Sequence, residues 1–187
     1  MEHFFKDIEG WFSFPNLYAY AVSQFDNAKF VEIGTWQGQS ASFMAVEIAN
    51  SRKNIDFFCV DTWSGSEEHQ TDEIVIKDAL YDKFLSNIEP VKNYITPLRM
   101  SSERASQHFK DGSLDFIFID AAHDYENVKK DIEAWYPKLK VGGVIAGHDF
   151  HPDWPGVMKA VEEWAKSNSK KILTAELCWI TEKTRFN

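Results

Sequence analysis

With 187 residues, 44% of them hydrophobic and 26% charged, the chain has the length and composition of one globular domain that can bury a core. Its formal net charge of −9 argues against a general nucleic-acid or anionic-membrane partner, because neither attracts an acidic surface. No apolar run approaches the ~20 residues that span a bilayer, and Met1-Glu2-His3-Phe4-Phe5-Lys6-Asp7 lacks the basic-then-apolar order of a signal peptide, so a cytoplasmic location is expected.

Phe4, Phe5, Trp11, Phe12 and Phe14 form an aromatic cluster near the start. It suits a hydrophobic plug, a lid over an apolar substrate or a subunit contact. A leading helix is expected over 14–26. Apolar runs at 29–34, 55–61, 94–99, 114–120 and 143–147 are rich in Val, Ile and Phe and do not alternate, as strands covered on both faces read. Helical stretches fall between them, at 40–50, 72–87, 102–110, 125–139 and 155–167. This βαβ order predicts a parallel sheet with right-handed crossovers. The last runs, 171–175 and 177–182, are too close for a helical crossover, so the final strand should run antiparallel at one edge. No repeat or linker interrupts the chain, which reads as one domain: an extension and helix over 1–28, then a core over 29–184. Cys59 and Cys178 sit in apolar runs and are expected as buried, reduced thiols.

The run Phe30-Val31-Glu32-Ile33-Gly34-Thr35-Trp36-Gln37-Gly38-Gln39-Ser40 takes a buried strand through a glycine turn into a helix. The missing Cβ atoms of Gly34 and Gly38 should let the backbone pass close under a ligand. The first helical N–H groups can then face it, at the place where open α/β sheets bind. Glu32 needs a partner, because an unpaired buried carboxylate is costly; backbone N–H groups or a ligand ammonium would both serve. Asp61 ends the next strand, where an acid receives the two hydroxyls of a ribose or simply caps a turn. Asp120 ends the run Phe116-Ile117-Phe118-Ile119, and His148-Asp149 end the run that starts at Gly143. These three should meet above adjacent strand ends. Two carboxylates and one imidazole suit a divalent ion; helix capping and loop hydrogen bonds are the alternative. His123 follows Asp120 by three residues, and an unperturbed imidazole suits a general base at neutral pH or merely a loop contact. His151 and Asp153 read as surface residues.

On three motifs the chain resembles the class I S-adenosylmethionine-dependent methyltransferases. They are Val31-Glu32-Ile33-Gly34-x-x-x-Gly38-x-Ser40, Ile119-Asp120-x-x-His123-x-Tyr125 and Gly142-Gly143-Val144-Ile145-x-Gly147-His148-Asp149. The narrower resemblance is to the small-molecule O-methyltransferase branch, with its metal-dependent catechol-type and its macrolide- and antibiotic-sugar enzymes. It covers 30–184 and implies a Rossmann-like α/β fold, a mostly parallel seven-stranded sheet with an antiparallel last strand.

The resemblance implies that Glu32, Gly34, Trp36, Gly38 and Ser40 hold the methionine moiety of the cofactor and that Asp61 binds its ribose. Thr62 and Trp63 would flank the adenine, with Ser102 and Glu103 at its edge and Asp120 also beside the cofactor. Asp120, His148 and Asp149 match the family's metal positions, and His123 matches the residue that takes the substrate proton. The family commonly has Asp or Glu where His148 stands, which moves the expected ion from Mg²⁺ toward Mn²⁺, Zn²⁺ or none. The implied partner is a small-molecule acceptor with a phenol, catechol or sugar hydroxyl, and a homo-oligomer is also open. Only 1–14 and 64–71 could serve as lids. A nicotinamide oxidoreductase would need a GxGxxG turn around a pyrophosphate, and Trp36 stands where its second glycine would be. A methyltransferase-like scaffold that binds cofactor without turnover remains an alternative.

Overall fold

The computed structural model describes residues 1–66 and 69–184. Seven strands form one sheet: β1 (Ala28–Ile33), β2 (Ile55–Asp61), β3 (Thr96–Arg99), β4 (Leu114–Ile119), β5 (Leu139–Gly147), β6 (Leu173–Ala175) and β7 (Cys178–Glu182). Their order is β3-β2-β1-β4-β5-β7-β6. The β1–β2, β1–β4, β2–β3 and β4–β5 pairs are parallel, whereas β7 is antiparallel to both β5 and β6.

The two-residue period of a strand explains why the apolar runs do not alternate. Phe30, Phe116 and Phe118 project into one core, and their neighbours Val31, Ile117 and Ile119 into the other. The first core is closed by α1 (Pro15–Gln24), α2 (Gln39–Ser51) and α4 (Leu80–Ile88), the second by α5 (Ser102–Ser106), α6 (Tyr125–Trp135) and α7 (Pro155–Ser167). A short α3 (Glu73–Ile76) precedes α4. Fully burying one such side chain contributes about 1.5–3 kcal/mol, so both faces must stay covered. No helix of the described residues is long and apolar enough to cross a membrane. Cys59 and Cys178 are buried and free.

Several boundaries differ from the sequence expectation. The helix expected over 72–87 is two helices, because Asp78 takes a left-handed conformation (φ 50°) between α3 and α4 and its carboxylate meets Arg99 Nη2 at 2.8 Å. The helix expected over 125–139 stops at Trp135, since Pro137 has no N–H to donate to the carbonyl four residues back, and a 3₁₀ turn, Tyr136–Lys138, leads directly into β5. That strand therefore starts at Leu139 rather than at Gly143. The 102–110 helix shortens to Ser102–Ser106 and the 94–99 strand to Thr96–Arg99. The antiparallel β7 lies one strand in from the edge, which β6 occupies. A two-residue turn with positive φ at Glu176 and Leu177 joins them, the twist that tight hairpins favour. Glu176 also accepts from Leu17 N and Asn16 Nδ2, tying the hairpin to the start of α1.

Candidate active site

The carboxyl ends of β1, β2, β4 and β5 open onto a cleft of about 1020 Å³, which the N-terminal segment around Trp11–Phe14 covers on one side. Of the aromatic cluster, Phe14 is fully buried, Phe4, Phe5 and Phe12 pack against the first core, and Trp11 is 66% exposed. The segment is thus a plug at its base and a wall at its rim. Gln39 Oε1 fixes it by accepting from Phe12 N at 3.0 Å. Of the lid candidate at 64–71, residues 67 and 68 lie outside the described residues; Gly65, Ser66 and His69 line the cleft.

The turn after β1 is held by Asp61. Its Oδ2 accepts from Thr35 N (2.8 Å) and Trp36 N (3.1 Å), and its Oδ1 accepts from Trp63 N at 2.8 Å. A carboxylate offers about four lone-pair sites, so Oδ1 retains capacity toward the cleft. Glu32 lies buried behind the turn and accepts from Ser40 Oγ. Burial pushes its carboxyl up to about 8, although the Ser40 hydrogen bond pulls the other way. Ser40, Gly34 and Trp36 line the cleft; Glu32 and Gly38 do not.

Packing by itself requires both glycines. A Cβ on Gly34 (φ +84°) would sit 1.9 Å from the carbonyl oxygen of Asp120, and one on Gly38 (φ +90°) would meet the Phe84 ring at 3.0 Å. Trp63 likewise belongs to the core: it is fully buried, donates from Nε1 to Trp36 O at 2.9 Å and packs on Tyr81 and Phe84. Its neighbour Thr62 does line the cleft. Ser102 also reaches the cleft, but its hydroxyl donates to Asp131 Oδ1 (2.5 Å) and accepts from Trp135 Nε1 (2.8 Å). Glu103 is exposed and away from it.

A second group gathers at the ends of β4 and β5. His123 Nε2 is 2.9 Å from Asp149 Oδ2, and its ring lies 4.0 Å from that of Trp154. His148 Nδ1 is 3.3 Å from Asp149 Oδ1 and 3.7 Å from Asp120 Oδ1, while its Nε2 meets Ser13 Oγ at 2.8 Å. Asp149 adopts φ 57°, which turns its carboxylate back between the two histidines. Burial lowers the His148 pKa, but hydrogen bonds and charge from Asp120 and Asp149 overcome this and push it up to about 10. Burial raises the Asp149 pKa, yet bonds from His123 and His148 hold it well below the usual carboxylate range. Burial raises Asp120, with His148 only partly offsetting it.

Asp120, His123 and Asp149 each present a ligand atom within 4.8 Å of the others, a donor set that suits a divalent ion. Asp120, His148 and Asp149 do meet at the strand ends as expected, and His123 joins them; the set whose ligand atoms lie this close contains His123 and not His148. Both nitrogens of His148 are already engaged and its proton is tightly held. His151 and Asp153 pair with each other at 3.2 Å in the following loop. Two contributors had no sequence signal. Ser13 reaches His148 across 135 residues of chain. Thr35, 3% exposed, lines the cleft with an Oγ1 that has no hydrogen-bond partner among the described residues, and the buried Trp36 Nε1 beside it is in the same state. Such orphaned groups fit a polar ligand seated over the turn.

Residues 31–150 match the family model Methyltransf_24, described as a methyltransferase domain. The chain belongs to that methyltransferase-domain family. The protein R132 of Acanthamoeba polyphaga mimivirus is 31% identical to this domain over 147 residues, covering 74% of the chain and 59% of R132. The protein y4gI of Sinorhizobium fredii is 28% identical over 147 residues, covering 79% of the chain and 16% of y4gI. This methyltransferase domain therefore spans less than two thirds of either relative. Among solved structures, the O-methyltransferase NovP superposes with a TM-score of 0.69 at 16% identity, over 91% of this chain and 79% of NovP. That likeness establishes a shared Rossmann-like methyltransferase fold.

Proposed function

We propose that the chain is an S-adenosylmethionine-dependent O-methyltransferase acting on a hydroxyl of a small molecule such as a phenol, catechol or sugar. The observation that carries this reading is the single cleft in which the Asp61-pinned turn adjoins the His123–Asp149 pair. One side can hold the cofactor and the other can receive the proton that methylation releases. The family match and the fold shared with the O-methyltransferase NovP support it. A net charge of −9 favours a small acceptor over nucleic acid.

Bound S-adenosylmethionine supplies an electrophilic methyl on a sulfonium. The chain's part is positioning and proton management. Asp61 Oδ1 would accept from the ribose, and Thr35 and Ser40 would meet the methionine end. At the acceptor side, the acceptor hydroxyl would give its proton to the His123 imidazole, and the Asp149 carboxylate beside Nε2 would stabilise the imidazolium that forms. Trp154 packs against that ring. Should a metal bind, Asp120, His123 and Asp149 would hold it, and it would orient the acceptor and lower its hydroxyl pKa.

Calorimetry with S-adenosylhomocysteine and a screen of phenols, catechols and sugars with labelled cofactor, with and without chelator, test the reading. Saturable binding and turnover are expected. No binding of the cofactor product would refute it, and binding without turnover of any acceptor would leave a scaffold. Activity lost in chelator and restored by one ion would assign a metal to the Asp120–His123–Asp149 cluster.

A further inference from the structure

Given the methyl-transfer reading above, we infer that the acceptor is an amine-bearing, positively charged compound and that phosphorylated or otherwise anionic acceptors are rejected. Carboxylates of Glu9, Asp61, Asp72, Asp120 and Asp149 line the cleft, and no Lys or Arg does so among the described residues. Three of these acids are already matched. Asp61 takes three backbone N–H groups, and Asp120 and Asp149 face His148 and His123. Glu9 and Asp72 remain. Among the described residues, Glu9 accepts only from the neutral Gln37 amide, at 3.2 Å, and Asp72 has no cationic partner.

The wall that accompanies them is aromatic. The Trp11 ring lies over His69 at 5.7 Å and 26°, His69 meets Trp36 at 4.4 Å, and Trp11 meets Trp36 at 5.9 Å. These rings are too close together to admit an ion between them, so they form a shelf, with Trp11 at 66% exposure offering a free indole surface. An ammonium over an indole face is drawn by the ring quadrupole, and the two uncompensated carboxylates add attraction of the same sign. A phosphate or carboxylate at this rim would instead meet the Glu9 and Asp72 carboxylates, with no guanidinium or ammonium among the described lining residues to pair with. Recognition by charge at this rim would leave the hydroxyl to be aligned deeper, at His123.

The test titrates the protein saturated with S-adenosylhomocysteine, so that the cofactor side is filled. Three probes of one shape are followed by tryptophan fluorescence and ligand-observed NMR: benzyltrimethylammonium, neutral benzyl alcohol and benzylphosphonate. The cation should bind about tenfold tighter than the alcohol, and the phosphonate more weakly than either. Asp72→Asn and Trp11→Leu should each reduce that preference by about threefold or more. Equal affinities, a phosphonate that binds as well as the cation, no measurable cation binding, or a preference unmoved in both variants would overturn the inference. Failure of S-adenosylhomocysteine to bind would instead overturn the methyl-transfer reading. The same three probes on the free protein would then decide the charge preference by themselves.

Discussion

Replacing Asp131 with asparagine should stabilise the protein at pH 8 and cost it about 1 kcal/mol near pH 3.5. Asp131 is 9% exposed on α6 and accepts from Ser102 Oγ at 2.5 Å. Burial raises its carboxyl to about 6, with the Ser102 bond opposing that shift. The folded pKa thus lies above the unfolded value near 3.8, the reverse of a salt-bridged acid. The folded state binds the proton more tightly, so stability falls as pH rises from about 3.8 to about 6 and is level above that. About two units at 1.36 kcal/mol each make a cost of about 3 kcal/mol at pH 8. Asparagine removes the charge and keeps an oxygen for Ser102, but its amide needs a partner of its own, which reduces the expected gain to about 2 kcal/mol. In a domain of this size that is a rise in Tm of about 4–8 °C. Urea unfolding of both proteins across that pH range measures it. An advantage that does not depend on pH, or a variant less stable at pH 8, would refute the reasoning.

Asp61→Ala should weaken S-adenosylhomocysteine binding about ten- to a hundredfold, the loss typical of a charged hydrogen-bond acceptor; an unchanged calorimetric Kd would remove Asp61 from the cofactor site. His123→Ala should lower turnover of a confirmed acceptor by about 10²–10⁴-fold with cofactor affinity retained, and an effect below about twofold would exclude it as the base. Gly34→Ala should destabilise the fold by about 2–5 kcal/mol, because its Cβ would meet the Asp120 carbonyl at 1.9 Å; wild-type stability in denaturant would contradict that packing.

Much of the frame was legible along the chain. Val31, Ile33, Ile117 and Ile119 declared strands covered on both faces by their unbroken apolar character, and the order of strands and helices implied a parallel sheet. Strand ends at Asp61, Asp120 and His148-Asp149 were legible for the same reason, since a polar residue closing a buried run must emerge at the sheet edge. The break at Asp78 was not legible, because nothing local distinguishes an aspartate that turns left-handed to meet Arg99 from one that continues a helix. The glycines of the turn were visible, but what their missing Cβ atoms avoid was not. The answer, the Asp120 backbone and the Phe84 ring, lies on other elements.

Sequence alone thus determined the fold class, the single cleft edge and the titratable groups gathered there, since these follow from periodicity and from where buried runs end. Tertiary structure decided which of those groups meet. Ser13, from the far end of the chain, and two carboxylates engage both nitrogens of His148, whereas His123 joins Asp120 and Asp149 in the candidate donor set. Trp63 went to the core and Trp36 to the cleft because Trp63 is wedged against Tyr81 and Phe84. Hydrogen-bond partnership and packing are pairwise in space, and no local pattern in the chain encodes which distant residue completes the pair.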